Sequence, residues 1–374
     1  MKVLLVLAVV ALLAWHPVRA HVRAASLLQR FSTPDKGPLR GVTERPFPIP
    51  SSTQRARLYE PNGAREGAVV LIPGVHRLGV DEPRLVHLAR ALAAEGITIL
   101  TPEVPELTEY RIEAASTESI GAAARAFHAY AGTPVGLMGM SFAGGLALLT
   151  AADPRFAPDV AFVVSVGAHD DLARVSRFFA TNAIPRPDGS IAHLTAHPYG
   201  PLVLVYDRVE DFFPAEDIPA ARDALRLWLW EEKARARKLA EALPPASRMR
   251  MLQLFDGDIP AIAPKLLAEI DAHADTMSAA SPHGHLAGLK APVLLCHGAG
   301  DSVIPATETL WLAQDVPRGL LEDVLISPAL VHVELEGKPS WRDQWAIVHF
   351  MAEVVGRARD LSSPVNSEGS PPHT

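Results

Sequence analysis

Cysteine is nearly missing from this chain of 374 residues, which contains only Cys296. A single cysteine excludes a disulfide within the chain and any metal site built from several cysteines. Export does not require disulfides, so the cellular compartment has to be inferred from other features of the sequence.

Runs of basic residues are also missing, and the formal net charge is -7 at pH 7. Without a basic patch the chain does not attract phosphates, so we expect no nucleic-acid partner. Hydrophobic residues make up 48% of the chain and charged residues 21%. This ordinary globular composition excludes wholesale disorder and a protein of many membrane spans. Composition does not indicate the oligomeric state.

Long apolar runs are confined to the N-terminus, where Lys2 precedes an uncharged stretch at residues 3–15. The run is shorter than the ~20 residues of an untilted membrane span, but it suits the core of a signal peptide. Val18 and Ala20 are small residues ahead of a candidate cleavage site before His21. We predict that residues 1–20 are a signal peptide or an N-terminal membrane anchor. The protein is then exported, to the periplasm or outside the cell, or tethered to a membrane.

The rest of the chain divides by its hydrophobic pattern. Residues 21–54 mix Arg, Pro and Gly without clear periodicity and are predicted to be a connector. Residues 55–170 and 287–360 alternate strand-like and helical patterns, which predicts an α/β core with a mostly parallel, twisted sheet flanked by helices. Residues 171–286 are predicted to form an inserted, mainly helical cap, and residues 361–374 a disordered tail.

The predicted cap contains several large aromatic residues. They either pack its core or line an acyl pocket, and they are Phe212, Phe213, Trp228 and Trp230. The last helix of the core is expected to begin near a capping box that starts with Ser340 and ends with Asp343.

A serine follows one of the predicted buried strands. Gly139-Met140-Ser141-Phe142-Ala143 comes directly after the apolar residues 135–138 and before a run of small residues. A sharp strand-to-helix turn of this kind holds a serine oxygen clear of the sheet, and it needs small residues two before and two after the serine. Ser141 is therefore the candidate nucleophile. The alternative is an ordinary strand-end turn with a solvated serine.

A serine nucleophile needs an imidazole base and an acid that orients the base. Asp301 ends a glycine-rich turn after the strand at residues 292–296, and His332 lies in the loop before the final helix. Ligand-facing groups belong at the carboxyl ends of parallel strands, so Asp301 is the candidate acid and His332 the candidate base. Asp170 and Asp171, which follow another predicted strand, remain alternatives for the acid.

Two backbone amides should stabilise the oxyanion that forms during acyl transfer. Phe142 N–H, next to the nucleophile, is one candidate, and Val75 N–H, in the glycine-containing loop after residue 72, is the other. His76 in the same loop either contacts substrate or hydrogen-bonds within the loop.

A metal site is a weaker hypothesis. Imidazole and carboxylate side chains are clustered late in the predicted cap, but they lack a fixed ligand spacing, and a solvated helix end explains them as well. We therefore expect no metal and no other cofactor. The clustered residues are Asp271, His273, Asp275, His283 and His285.

The order Ser141, Asp301, His332, with these strand contexts, resembles the α/β-hydrolase fold superfamily across residues 55–356, with the cap as an interruption. That resemblance implies a cap inserted after the sixth strand. It also implies a serine hydrolase that cleaves a carboxylic ester or related acyl bond of a small molecule through an acyl-enzyme. Ala143 stands where glycine is usual, and Pro73-Gly74 where His-Gly is frequent. An acyltransferase with the same triad, or a non-catalytic binding protein of this fold, is the alternative.

Overall fold

The computed structural model describes residues 18–33, 37–331, 334–335 and 340–361. The apolar run at residues 3–15, the predicted base His332 and the tail from residue 362 lie outside the described residues. Among the described helices, none combines the length and the hydropathy needed to cross a membrane.

A sheet of eight strands forms the centre of the molecule, in the order β1-β2-β4-β3-β5-β6-β9-β10. The six strands from β4 to β10 run parallel, and β2 lies antiparallel to both β1 and β4. The strands are β1 (Val42–Pro46), β2 (Ala56–Pro61), β3 (Ala68–Ile72), β4 (Thr98–Pro102), β5 (Val135–Met140), β6 (Val160–Val166), β9 (Val293–Gly298) and β10 (Leu321–Ser327).

Helices cover both faces of this sheet because its central strands are apolar on both sides. In β3, Val70 and Ile72 face one layer of helices, while Val69 and Leu71 face the other, as the twofold alternation of a strand requires. The first layer contains α4 (Ser116–Ala131), α5 (Phe142–Ala152) and α14 (Thr307–Asp315). The second contains α1 (residues 18–31), α2 (Pro83–Ala94) and α15 (Trp341–Asp360). A short helix, α3 (Pro105–Thr108), follows β4.

Between β6 and β9 the chain leaves the sheet and forms a mainly helical region with its own buried core. Two short hairpin strands, β7 (Ala183–Pro185) and β8 (Ile191–His193), accompany the helices. The helices are α6 (Leu172–Thr181), α7 (Tyr199–Asp207), α8 (Val209–Phe212), α9 (Ile218–Leu229), α10 (Lys233–Glu241), α11 (Pro245–Asp256), α12 (Ile259–Ala272) and α13 (Ala274–Ala279).

The segment predicted as a connector, residues 21–54, is more ordered than its composition indicates, and that prediction is wrong for two elements. Helix α1 buries Ala24 and Leu27 completely against the second helical layer, and β1 adds an antiparallel edge to the sheet. Helix α1 also runs through the junction between Ala20 and His21. The apolar residues of α1 do repeat at helical spacing, but the surrounding arginines obscure the pattern.

Candidate active site

Ser141 occupies the turn between β5 and α5, with φ 57° and ψ -136°. A residue with a side chain adopts a positive φ only under constraint. Here the Ser141 N–H donates to Val166 O at 2.7 Å, which ties the turn to the neighbouring strand β6. A Cβ atom on Gly139 would lie 2.3 Å from Ala143 O, so strand and helix could not approach this closely with any larger residue. Ala143, which stands where glycine is usual, is fully buried in the same contact.

The sheet order, the strained serine turn after β5 and the insertion after the sixth strand together match what the resemblance implied. The chain has the α/β-hydrolase fold. The fold class inferred from the sequence is therefore confirmed, including the mostly parallel sheet flanked by helices.

No protein-family model matches the chain, and no curated protein matches it. Solved structures do resemble it. A lipase from Acinetobacter baumannii is 13% identical, with 86% of this chain and 93% of that chain covered and a TM-score of 0.43. An esterase from Pyrobaculum calidifontis is 16% identical, with 91% of this chain and 87% of that chain covered and a TM-score of 0.44. A 2-hydroxy-6-oxo-6-phenylhexa-2,4-dienoate hydrolase from Rhodococcus is 17% identical, with 85% of this chain and 99% of that chain covered and a TM-score of 0.43. All three of these structures are named as lipase, esterase or hydrolase.

Ser141 borders a cavity of about 560 Å³ between the sheet and the helical insertion. The serine is 7% exposed, and its hydroxyl group makes no hydrogen bond within the part of the chain that the structure describes. The loop after β3 contributes Pro73, Gly74, Val75 and His76 to the wall. The remaining lining residues are Phe31, Glu82, Arg84, Leu85, Leu88, Met140, Phe142, His197, Tyr199, Glu231, Ser302 and Val303.

The predicted acid Asp301 lies in a tightly bonded loop after β9. Its Oδ1 accepts the amides of Val303 at 2.8 Å and Ile304 at 3.0 Å, and its side chain is fully buried. The next two residues, Ser302 and Val303, line the cavity of Ser141, so the Asp301 loop borders that cavity.

His297 supports this loop from inside the protein. Its Nε2 bonds to Ile304 O at 2.8 Å and lies 3.4 Å from Asp301 Oδ2, while its Nδ1 bonds to Thr309 Oγ1 at 2.6 Å. These contacts engage both ring nitrogens in structural bonds. His297 is therefore unsuited to act as the base.

The predicted base His332 lies outside the described residues. The strand immediately before it, β11 (Leu330–Val331), contacts β9 and pairs with β12 (Glu334–Leu335). The chain therefore approaches residue 332 beside the strand that leads to Asp301. The assignment of the base stays a prediction.

The residues of both predicted oxyanion donors, Phe142 and Val75, line the same cavity as Ser141. Phe142 is the first residue of α5, where the backbone amide has no acceptor within the helix. A Cβ atom on Gly74 would lie 3.4 Å from Met140 O and 3.5 Å from Ser141 Cβ, so the loop that carries Val75 passes close to the serine. Tyr199 Oη donates to Val75 O at 3.2 Å and holds this loop from the insertion. Sequence reasoning missed Tyr199, which no local motif marks.

His76 lines the cavity and also bonds within its own loop. Its Nδ1 accepts the amide of Leu78 at 3.2 Å. Burial lowers the pKa of the His76 imidazole, which favours the neutral ring. A role in substrate contact is open to its other nitrogen.

The alternative acids Asp170 and Asp171 have structural partners. Asp171 Oδ1 accepts the amide of Arg174 at 3.0 Å and caps α6, and Asp170 Oδ2 accepts Arg174 Nη2 at 2.8 Å. Their own backbone amides donate to Glu308 Oε2 at 2.9 and 3.0 Å. Among the described residues that line the Ser141 cavity, neither appears. The geometry thus favours Asp301.

The residues considered for a metal site do not come together as one group. Within the described ranges, His283 instead meets Asp170 and Asp315, and His273 meets Asp211 and Glu269. His283 Nδ1 lies 2.6 Å from Asp315 Oδ2, which is a hydrogen-bond distance. Of the other three residues, Asp271 forms an ion pair with Arg177, and His285 Nδ1 bonds to Ser281 O at 3.0 Å. Among the described residues, Asp275 belongs to neither of the two groups.

A smaller apolar hollow of about 40 Å³ adjoins the Ser141 cavity and shares Phe142 and Tyr199 with it. Most of its wall comes from α6 and α7. The lining residues are Tyr110, Ile112, Phe142, Leu172, Ser176, Phe179, Tyr199, Gly200, Val203, Leu204, Asp207, Arg208, Thr276 and Met277.

The four aromatic residues singled out in the insertion serve mainly its packing. Phe212 and Phe213 are buried in its core, and Trp228 stacks on Phe255 with ring centroids 4.0 Å apart. Trp230 packs against the same core. In the described parts of these two cavities, none of the four contributes to the wall.

Asp170 should make stability depend on pH. Burial raises the pKa of its carboxyl to about 7, so its contribution to stability is fully present below pH 3.8 and is lost as the pH rises to about 7. We expect wild-type protein to lose roughly 2 to 4 kcal/mol from this group over that range. Urea unfolding should show a much smaller loss for Asp170→Asn, whereas Asp171→Asn should retain it. Equal pH dependence in all three proteins would contradict this assignment.

Proposed function

We propose that the protein is a serine hydrolase that cleaves a carboxylic ester, or a related acyl bond, of a small molecule. The observation that carries the proposal is the strained Ser141 turn, which opens on a cavity bordered by the Asp301 loop. A strained backbone at a buried, cavity-facing serine is the arrangement that a nucleophile needs.

In the proposed mechanism His332 removes the Ser141 proton as Oγ attacks the substrate carbonyl carbon. The carbonyl electron pair moves onto its oxygen, which accepts hydrogen bonds from the Phe142 and Val75 amides. When this tetrahedral intermediate collapses, the alcohol leaves with the proton from the imidazolium ion. Water, deprotonated by the same imidazole, then attacks the carbonyl carbon of the acyl-enzyme, and the acid is released as the imidazolium ion returns the proton to Ser141 Oγ.

The apolar hollow beside Phe142 suits the acyl chain of the substrate. Its walls are largely aliphatic and aromatic, and its small volume favours short chains. The wider cavity, which has the charged residues Glu82, Arg84 and Glu231 in its wall, suits the alcohol part.

A fluorophosphonate probe should label wild-type protein and not Ser141→Ala, because only an activated serine displaces fluoride from the probe. Ser302→Ala removes another serine from the wall of the same cavity and is the matched control. It should be labelled like the wild type. Labelling of Ser141→Ala at the wild-type rate would end the proposal.

Replacing the acid should separate Asp301 from its alternatives. An Asn at position 301 can still accept the amides of Val303 and Ile304, so the loop should keep its geometry while the charge is lost. We expect kcat of Asp301→Asn for a reactive ester to fall by about 10³- to 10⁴-fold. Asp171→Asn should lower kcat by less than about ten-fold, because an asparagine can still cap α6 and only the carboxylate charge near Arg174 is lost. The reverse order would move the acid to Asp171.

Phe179 should limit the length of the acyl chain. It is 4% exposed and forms part of the hollow, so Phe179→Ala should enlarge the space for the acyl group. In kcat/KM profiles with p-nitrophenyl esters, we expect the wild type to prefer short chains and the variant to shift its optimum to longer ones. Phe213→Ala, in the same buried core but outside the hollow, should leave the optimum unchanged. A shared shift would mean that the cap loosens generally.

A further inference from the structure

Helices α1 and α15 expose four large apolar side chains where the two helices meet. Trp341 is 73% exposed, Trp345 56%, Val18 55% and Val22 63%. Exposed side chains of this size stand singly on most soluble surfaces, and a grouped set indicates a site of interaction.

His21 joins the two helices into one surface. Its ring stacks on Trp345, with centroids 5.2 Å apart, and on His349, with centroids 5.3 Å apart. Val18 and Val22 lie one turn apart on α1, and Trp341 and Trp345 one turn apart on α15, so each pair shares a side of its helix. We call Val18, His21, Val22, Trp341 and Trp345 the α1–α15 face.

The chain that precedes this face determines what covers it. Residues 3–15 are uncharged and apolar, and they end three residues before Val18. Tryptophan is enriched where membrane proteins meet the water interface, because its ring combines apolar area with a polar N–H group. We infer that the α1–α15 face lies on a lipid bilayer, with the two tryptophans at headgroup level.

The charge of the protein specifies how this contact is made. A net charge of -7 does not favour adsorption to anionic lipid, so burial of apolar surface has to drive it. Membrane contact should therefore occur on vesicles of zwitterionic phosphatidylcholine and should resist salt. Phe31, at the other end of α1, lines the Ser141 cavity, so one helix connects the membrane face to the candidate active site.

Quenching of tryptophan fluorescence by phosphatidylcholine vesicles with brominated acyl chains tests this inference on the full-length chain. Trp15→Phe is the starting protein, because it removes the tryptophan of the apolar run. We expect quenching in this protein, and its loss when Trp341→Phe and Trp345→Phe are added. Adding Trp228→Phe and Trp311→Phe instead should preserve the quenching, since these rings lie elsewhere in the fold. Phenylalanine keeps an aromatic ring at each position, so the variants should fold.

A second measurement follows binding itself. Trp341→Ala and Trp345→Ala should each lower the vesicle partition coefficient of the full chain, by roughly ten-fold where the ring is immersed. The inference would be overturned if the alanine variants kept the wild-type partition coefficient and the protein with Trp341→Phe and Trp345→Phe was still quenched. So would quenching that needs anionic lipid and disappears at high salt. A tryptophan-dependent dimer in vesicle-free solution would assign the face to a second copy instead.

Discussion

The packing of β5 against α5 is the constraint on which the rest of the site depends. It holds Ser141 in a conformation that costs roughly 1 to 3 kcal/mol for a residue with a side chain. The close approach at Gly139 and the bond from Ser141 N–H to Val166 O supply the opposing stabilisation. Because both partners are buried, the serine cannot relax without opening the centre of the sheet.

Buried carboxylates perform a related task around this turn by accepting backbone amides. Asp301 fixes its own loop in this way, and Glu308 fixes the loop that carries Asp170 and Asp171 while pairing with Arg174. Carboxylates bonded to several N–H groups are strong, short-range anchors in a low-dielectric interior. The loops at the carboxyl edge of the sheet are thereby held in place without regular secondary structure.

Sequence patterns were most informative where neighbours in the chain are also neighbours in space. The central strands, the serine turn and the capping box of Ser340 and Asp343 depend on residues a few positions apart, and all three are observed. Helix α1 was missed because its buried residues are separated by arginines whose partners, such as Glu66, lie elsewhere in the chain. The five residues weighed as a metal site are likewise divided between separate groups, since His273 lies with Asp211 and Glu269, and His283 with Asp170 and Asp315.

By itself, then, the sequence determined the α/β architecture and the position of the strained serine. Both depend on the spacing of hydrophobic and small residues that are only a few positions apart in the chain. Only the tertiary structure decided which distant groups share the cavity. The contact of Tyr199 with Val75, the placement of the Asp301 loop beside Ser141 and the engagement of Asp170 by Arg174 join separate elements. Such contacts arise from the packing of the insertion on the sheet, and no pattern within a single segment encodes them.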